Sequence, residues 1–70
     1  MCLVNLSEPD NLRKMIASGI VWSQTIDIRA RYTAAAMLLD GNAPMPAALP
    51  AEAEVLMERV RRDREEAAHA

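Results

Sequence analysis

The stretch WSQTIDIRARYT, from Trp22 to Thr33, decides the fold because its residues fit two periods. With a period of two, Trp22, Ile26 and Tyr32 share one side and charged residues occupy the other, as in a half-buried strand. With a period of 3.6, the same residues continue helical patterns that lie on either side of the stretch. The flanking sequence therefore has to decide between a strand and a helix.

A helix start and a helix stop enclose this stretch. Ser7 can cap a helix whose first turn contains a proline and acidic residues. The run DGNAP over residues 40–44 is typical of a helix end. Only Gly19 interrupts the pattern between them, so we predict one long helix over residues 7–40, with a kink allowed at Gly19, after a flexible arm over residues 1–6.

An advance of about 100° per residue along this helix sorts the apolar residues into two opposed stripes. The broad stripe contains Leu12, Met15, Ile16, Gly19, Trp22, Ile26, Ala30, Ala34 and Met37. The opposite stripe contains Ala17, Val21, Ile28, Tyr32, Ala35 and Leu39. Two opposed stripes imitate strand alternation locally, which explains the period of two. The strand alternative stays open, because residues 20–32 are rich in β-branched side chains and Gly19 could open a turn.

A proline-rich connector over residues 41–49 and a second helix over residues 50–68 follow the long helix. Pro50 suits a first helical turn, and acidic residues come early and arginines later, which is the favourable order for the helix dipole. Leu56 and Val60 lie on one narrow apolar stripe. The sequence therefore predicts an all-α helical hairpin within one small domain that covers residues 1–70.

The small size of the chain favours self-association. A chain of 70 residues buries only about 60% of the surface exposed by its unfolded form. Cys2 and His69 are single, so the chain cannot form an intrachain disulfide or a two-ligand Cys/His metal site, and we expect no metal or cofactor. The second helix can cover only one stripe, which predicts a homodimer with a four-helix-like core. We expect the dimer and core to contain Leu12, Met15, Ile16, Val21, Ile26, Met37, Leu39, Leu56 and Val60.

Several function classes find little support in the sequence. No nucleophile lies beside an activating base and no glycine-rich phosphate loop exists, so we expect no enzymatic activity. The start MCLVNL lacks the basic region of a signal peptide, and no apolar run approaches the roughly 20 residues that span a bilayer. We therefore expect a cytoplasmic protein with no membrane partner. The net charge of −2 is not the basic excess typical of nucleic-acid binders.

The candidate partner-binding residues are aromatic, basic or apolar. They are Trp22, Ile28, Arg29, Arg31 and Tyr32. On a continuous helix, Arg29 and Tyr32 lie on adjoining sides and form a mixed patch suited to an acidic protein surface. An ordinary solvated surface remains the alternative for this patch, and core packing remains the alternative for Trp22.

These features predict a non-catalytic homodimeric module that binds and inhibits a larger regulatory protein or enzyme. In class, the chain resembles the short accessory inhibitors, antiactivators and antitoxins of phages and mobile elements. The alternative is a DNA-binding regulator with a helix-turn-helix-like or ribbon element around residues 15–31, in which Gln24, Thr25, Arg29 and Arg31 would read bases. Gly19 separates the two hypotheses: a turn there permits DNA reading, whereas a continuous helix favours the inhibitor.

Overall fold

A computed structural model describes residues 9–69 of the chain. Over these residues the chain forms α1 (Pro9–Ser18), a 3₁₀ turn (Ile20–Trp22), α2 (Ile28–Leu39) and α3 (Ala51–Ala68). No strand occurs within this range, so the all-α prediction is confirmed and the strand alternative is wrong. The expected arm over residues 1–6 and the cap at Ser7 lie outside the described residues.

The single long helix predicted over residues 7–40 is wrong, because the chain breaks at Gly19. The Gly19 backbone has a φ of 84°, in the left-handed region. A glycine adopts this conformation without steric cost, and it is the usual residue just beyond a helix end. Its N–H donates to the Ile16 carbonyl at 3.1 Å. The sequence allows a kink at this position, whereas in the structure α1 ends there completely.

Polar side chains keep the following segment out of a helix and then start α2. The Thr25 N–H donates to the Ser23 hydroxyl at 3.2 Å. The Asp27 side chain accepts from the Arg29 N–H at 3.0 Å, and the Asp27 carbonyl accepts from the Arg31 N–H at 3.1 Å. Short polar side chains that bond to nearby backbone in this way compete with a continuous helix and favour its N-terminus. Asp27 is therefore the N-cap of α2.

The predicted helix stop after Leu39 is confirmed. Gly41 has a φ of 73° and donates its N–H to the Leu38 carbonyl at 3.3 Å, while the Asn42 N–H donates to the Met37 carbonyl at 2.8 Å. These two bonds form a Schellman motif, which satisfies the last carbonyl groups of the helix. The connector that follows is neither helix nor strand, and α3 begins directly after Pro50, as predicted for the second helix.

The chain reverses direction between α1 and α2. Residues 19–27 connect the end of α1 to the start of α2. At the other end of the pair, the Arg13 Nε donates to the Asn42 carbonyl at 2.7 Å. Contact between the first half of α1 and the residues just after α2 means that these helices are antiparallel. We call residues 19–27 the reversal segment.

Two ion pairs set the direction of α3 relative to α2. Arg31, near the start of α2, pairs with Glu52 in the first turn of α3. Asp40, at the end of α2, accepts two hydrogen bonds from Arg64 near the end of α3, at 2.8 and 2.9 Å. A helix rises about 1.5 Å per residue, so in an antiparallel arrangement the side chains of at least one of these pairs would be too far apart to meet. The two helices therefore run in the same direction. The expected hairpin between the long helix and the second helix is thus corrected: the hairpin consists of α1 and α2.

The core uses both predicted stripes within one chain. Its fully buried large side chains are Leu12, Ile16, Val21 and Val60, and Met37 is 9% exposed. The other predicted core residues, which are Met15, Ile26, Leu39 and Leu56, are partly buried and pack against this core. The surplus apolar stripe that motivated the dimer is therefore largely covered inside the chain. Alanines at positions 30, 34, 35, 43 and 53 fill much of the remaining core, which limits the apolar area that is buried.

Candidate interaction surface

Large hydrophobic side chains remain exposed around the reversal segment. Ile20, in the 3₁₀ turn, is 56% exposed, and Ile28, the first residue of α2, is 52% exposed. Gln24 and Arg29 are exposed beside them along the chain. We call Ile20, Gln24, Ile28 and Arg29 the reversal surface. Exposed apolar groups rimmed by polar ones are typical of interaction sites.

The first turns of α3 lie near the first turns of α2, because Arg31 pairs with Glu52. Away from this pair, on the connector and α3, an open depression of about 380 Å³ is lined by Leu49, Glu54, Met57, Glu58 and Arg61. Leu49 and Met57 are half-buried and supply its apolar part. We call it the α3 depression. Val55, which directly follows Glu54, is 66% exposed. It lines a second open depression with Glu58, Arg59 and Arg62.

Three charged residues of this region carry no ion pair. Within residues 9–69, the Arg29 and Arg62 guanidinium groups and the Glu54 carboxylate have no oppositely charged partner within 4.0 Å. By contrast, Arg31, Arg61 and Arg64 are each paired with a carboxylate of the same chain. An exposed apolar side chain next to an unpaired cation, as at Ile28 and Arg29, can bind a complementary protein surface.

The structure separates the five predicted partner-binding residues into two groups. Ile28 and Arg29 are exposed on the reversal surface. Trp22 is only 9% exposed and belongs to the core. The Arg31 side chain is 14% exposed, pairs with Glu52 and donates to the Ile26 carbonyl at 3.2 Å. The half-buried Tyr32 bonds to α3. Three of the five side chains therefore make internal contacts.

Tyr32 belongs to a polar cluster that joins α2 to α3. Its hydroxyl donates to the Asp63 carboxylate at 2.7 Å, and the Arg59 Nε donates to the same carboxylate at 3.2 Å. The hydrogen bond from Tyr32, reinforced by Arg59, lowers the pKa of Asp63, and the same hydrogen bond raises the pKa of Tyr32. The hydrogen bonds from Arg64 likewise lower the pKa of Asp40. This cluster holds two helices together and leaves little of the tyrosine hydroxyl free for a partner.

The geometry around Gly19 bears on DNA reading. A turn is present there, which is the feature the DNA hypothesis needs. However, the reversal segment is longer than the turn of about 3–4 residues in a helix-turn-helix. Gln24 and Thr25 lie in this segment and not on the second helix, and Arg31 is held by Glu52. Of the four proposed base-reading side chains, Arg29 alone is exposed on α2.

The described residues show neither a metal cluster nor a membrane span. Over residues 9–69, no three side chains of His, Cys, Asp or Glu type are grouped so as to hold a metal ion. None of the helices in this range is long and apolar enough to cross a bilayer. Cys2 lies outside the described residues.

Three members of this region are not among the predicted partner-binding residues: Ile20, Glu54 and Val55. Ile20 falls outside both predicted stripes, and Glu54 belongs to the acidic first turn of the second helix. Val55 widens the predicted apolar stripe of that helix, but it is 66% exposed. The exposure of Ile20 in a 3₁₀ turn depends on the break at Gly19, which does not follow from helical periodicity. No family model, no curated protein and no solved structure matches the chain.

Proposed function

We propose that this protein is a small, non-catalytic, homodimeric interaction module that acts in the cytoplasm by binding and inhibiting a larger regulatory protein or enzyme. The observation that carries the proposal is the reversal surface, where Ile28 is 52% exposed next to the unpaired Arg29. This surface keeps two of the five predicted partner-binding residues and adds Ile20.

The energetics of the surface suit protein binding. Complete burial of an isoleucine side chain contributes about 1.5–3 kcal/mol, and Ile20 and Ile28 are each more than half exposed. Covering both would supply a central apolar contact. Arg29 at its edge would steer the approach of an acidic target and orient it, with less effect on the affinity itself.

Self-association has a separate physical basis. Buried alanines contribute little apolar area, and five of the core residues are alanines. Domains of this size generally gain stability from disulfides, metals or oligomerisation. Binding to a second copy would bury apolar side chains that stay exposed in the single chain.

DNA binding remains the second candidate, and the turn at Gly19 is the specific observation in its favour. Against it stand the length of the reversal segment, the internal pairing of Arg31 and the negative net charge of the chain. Protein binding therefore has the stronger physical support.

Affinity capture from native host lysate tests the proposal. The baits are the wild-type chain, Ile28→Glu and Lys14→Glu, each used with and without nuclease treatment. Lys14 is an exposed cation on α1 that lines neither depression and has no ion pair within residues 9–69, so it provides the control. We expect one protein to bind the wild type and the control but not Ile28→Glu, regardless of nuclease. Recovery of nucleic acid, or of proteins lost on nuclease treatment, would favour the DNA-binding candidate instead.

A further inference from the structure

We infer that the peptide bond between Asp40 and Gly41 is a site of spontaneous isoaspartate formation, and that Arg64 slows this reaction by holding the Asp40 carboxylate. Asp40 and Gly41 form the only Asp–Gly or Asn–Gly pair in the sequence. A glycine after an aspartate favours attack of its backbone nitrogen on the carboxyl group, because no side chain hinders the approach. Both residues are exposed, so water reaches the site.

The reaction needs no reagent other than water. The Gly41 nitrogen forms a bond to the Cγ carbon of the protonated Asp40 carboxyl group, and the carboxyl hydroxyl takes the amide proton and leaves as water. The product is a cyclic succinimide. Addition of water to the ring then breaks one of its carbon–nitrogen bonds. Cleavage at Cγ restores aspartate, whereas cleavage at the main-chain carbonyl carbon leaves the chain running through the side chain, which is isoaspartate.

Arg64 acts on the reacting carboxyl group itself. Its Nη1 and Nη2 atoms donate to the two carboxylate oxygens of Asp40, at 2.8 and 2.9 Å. The hydrogen bonds from Arg64 lower the pKa of Asp40, so a smaller fraction of this carboxyl group carries the proton that it needs to leave as water. The paired, charge-assisted bonds also fix the orientation of the carboxylate, which must turn to meet the Gly41 nitrogen.

The backbone at the end of α2 also opposes ring closure. Asp40 has a ψ of −2°, which places the Gly41 nitrogen in line with the Asp40 nitrogen, whereas the ring requires it in line with Cβ. The Gly41 N–H donates to the Leu38 carbonyl at 3.3 Å, and this bond must open before the nitrogen loses its proton. The reaction therefore requires a local opening of the helix end. Arg64 opposes this opening because it ties Asp40 to α3.

Isomerisation weakens the docking of α3. A succinimide contains neither the Asp40 carboxylate nor the Gly41 N–H, so the Arg64 pair and one bond of the Schellman motif are lost. Isoaspartate regains a carboxylate, but its backbone is one methylene longer, which displaces that carboxylate and the turn after α2. The Tyr32–Asp63 bond then remains to attach the second half of α3 to α2. The site thus connects chemical ageing of the chain to the docking of a helix.

Ageing of the folded chain at neutral pH tests the inference. Peptide mapping with electron-transfer dissociation distinguishes isoaspartate from aspartate at position 40, although their masses are equal. We expect isoaspartate to accumulate about two- to fivefold faster in Arg64→Met than in the wild type, the factor that corresponds to loss of an exposed ion pair. Arg62→Met is the matched control and should age at the wild-type rate, because Arg62 is exposed on α3 without an ion pair within residues 9–69.

A further variant separates the action of Arg64 on the carboxylate from general loosening of α3. Tyr32→Phe removes the other polar attachment of this half of α3 and keeps the Arg64–Asp40 pair, so it should raise the rate less than Arg64→Met. Circular dichroism should show that all variants remain folded. Equal rates in the wild type and Arg64→Met, including no product in either, overturn the inference. An equal increase in Tyr32→Phe and Arg64→Met overturns the role of Arg64 at the carboxylate.

Discussion

Tyr32 and Asp63 join α2 to α3 through one hydrogen bond, in which the tyrosine hydroxyl donates to the carboxylate at 2.7 Å. Val60 is the last buried residue of α3, and residues 61–69 are exposed except for the partly buried Asp63. The second half of α3 is therefore attached to α2 by polar contacts, which are the Tyr32–Asp63 bond and the Arg64–Asp40 pair. Its attachment should respond to pH and to single polar substitutions.

Tyr32→Phe should loosen the second half of α3 because it removes the hydroxyl and keeps the ring. We expect faster amide hydrogen exchange in residues 61–69, with little change in α1, and a lower midpoint of urea unfolding. Thr33→Val is the control, since its hydroxyl bonds only to the Arg29 carbonyl within the same helix. Unchanged exchange in residues 61–69 would show that this hydrogen bond does not hold the helix.

Stability should fall at both ends of the pH range. Asp40 and Asp63 have pKa values below the usual 3.8 of an aspartate, because they accept hydrogen bonds from Arg64 and Tyr32. The stability that these two carboxylates contribute is therefore complete above pH 3.8 and is lost as the pH falls through their folded-state pKa values. Tyr32 has a pKa above 10.0; its contribution is present below 10.0 and is lost as the pH rises beyond the folded-state value. Urea unfolding across the pH range measures both losses.

Comparison of variants assigns each loss to its residue. In Tyr32→Phe the alkaline loss should shrink, and in Asp40→Asn the acid loss should shrink. An acid loss of the same size in a variant that lacks both Asp40 and Asp63 would mean that other carboxylates cause it.

Gly19→Ala should destabilise the chain by about 1 kcal/mol, the usual cost of an L side chain in the left-handed region. Space is not the cause, because a Cβ at this position meets no atom within 4 Å. Gly19→Asn should cost less, because asparagine tolerates this backbone conformation better. Chemical denaturation checks both variants, with Ala47→Gly in the connector as the control. An increase in stability for Gly19→Ala would argue for a continuous helix through this position.

Asp27→Ala should cost about 1 kcal/mol through loss of the N-cap of α2. Asp27→Ser should retain most of the stability, because a serine side chain can accept the same hydrogen bond. The matched control is Asp10→Ala, which removes another exposed carboxylate without removing a cap. Equal stability of Asp27→Ala and the wild type would place the start of α2 elsewhere.

Truncation of Leu12 and truncation of Ile28 should change the stability by very different amounts. Leu12 is 0% exposed and Ile28 is 52% exposed. Leu12→Ala should cost about 2–5 kcal/mol, enough to unfold much of a domain this small. Ile28→Ala should change the stability of the monomer by no more than about 0.5 kcal/mol. Circular dichroism during urea titration at low protein concentration distinguishes these results; a large loss for Ile28→Ala would mean that this side chain supports the fold.

The ends of α2 and α3 show which features sequence can predict. Residues 40–44 predicted a helix stop, and Gly41 and Asn42 make the expected Schellman bonds. Pro50 predicted the start of α3. These features depend on neighbours in the chain, so local sequence is sufficient. Burial of Leu12 and Ile16 was also predictable, because α1 is amphipathic on its own.

The break at Gly19 and the internal use of Arg31 show where sequence reasoning failed. A helical wheel assigns the same faces to two separate helices as to one continuous helix, so periodicity could not reveal the reversal segment. Ser23, Thr25 and Asp27 carried a local signal, since all three types favour caps and turns. For Arg31 no local signal existed, because its partner Glu52 comes from a distant part of the chain. The candidate surface was predicted only at Ile28 and Arg29.

The central claim is that the reversal surface is a protein-binding surface, and affinity capture from native host lysate with the wild type beside Ile28→Glu tests it most directly. We predict that a protein bound by the wild type is lost with Ile28→Glu, while circular dichroism shows equal helix content in the two chains. Equal capture of that protein by both folded chains would contradict the claim.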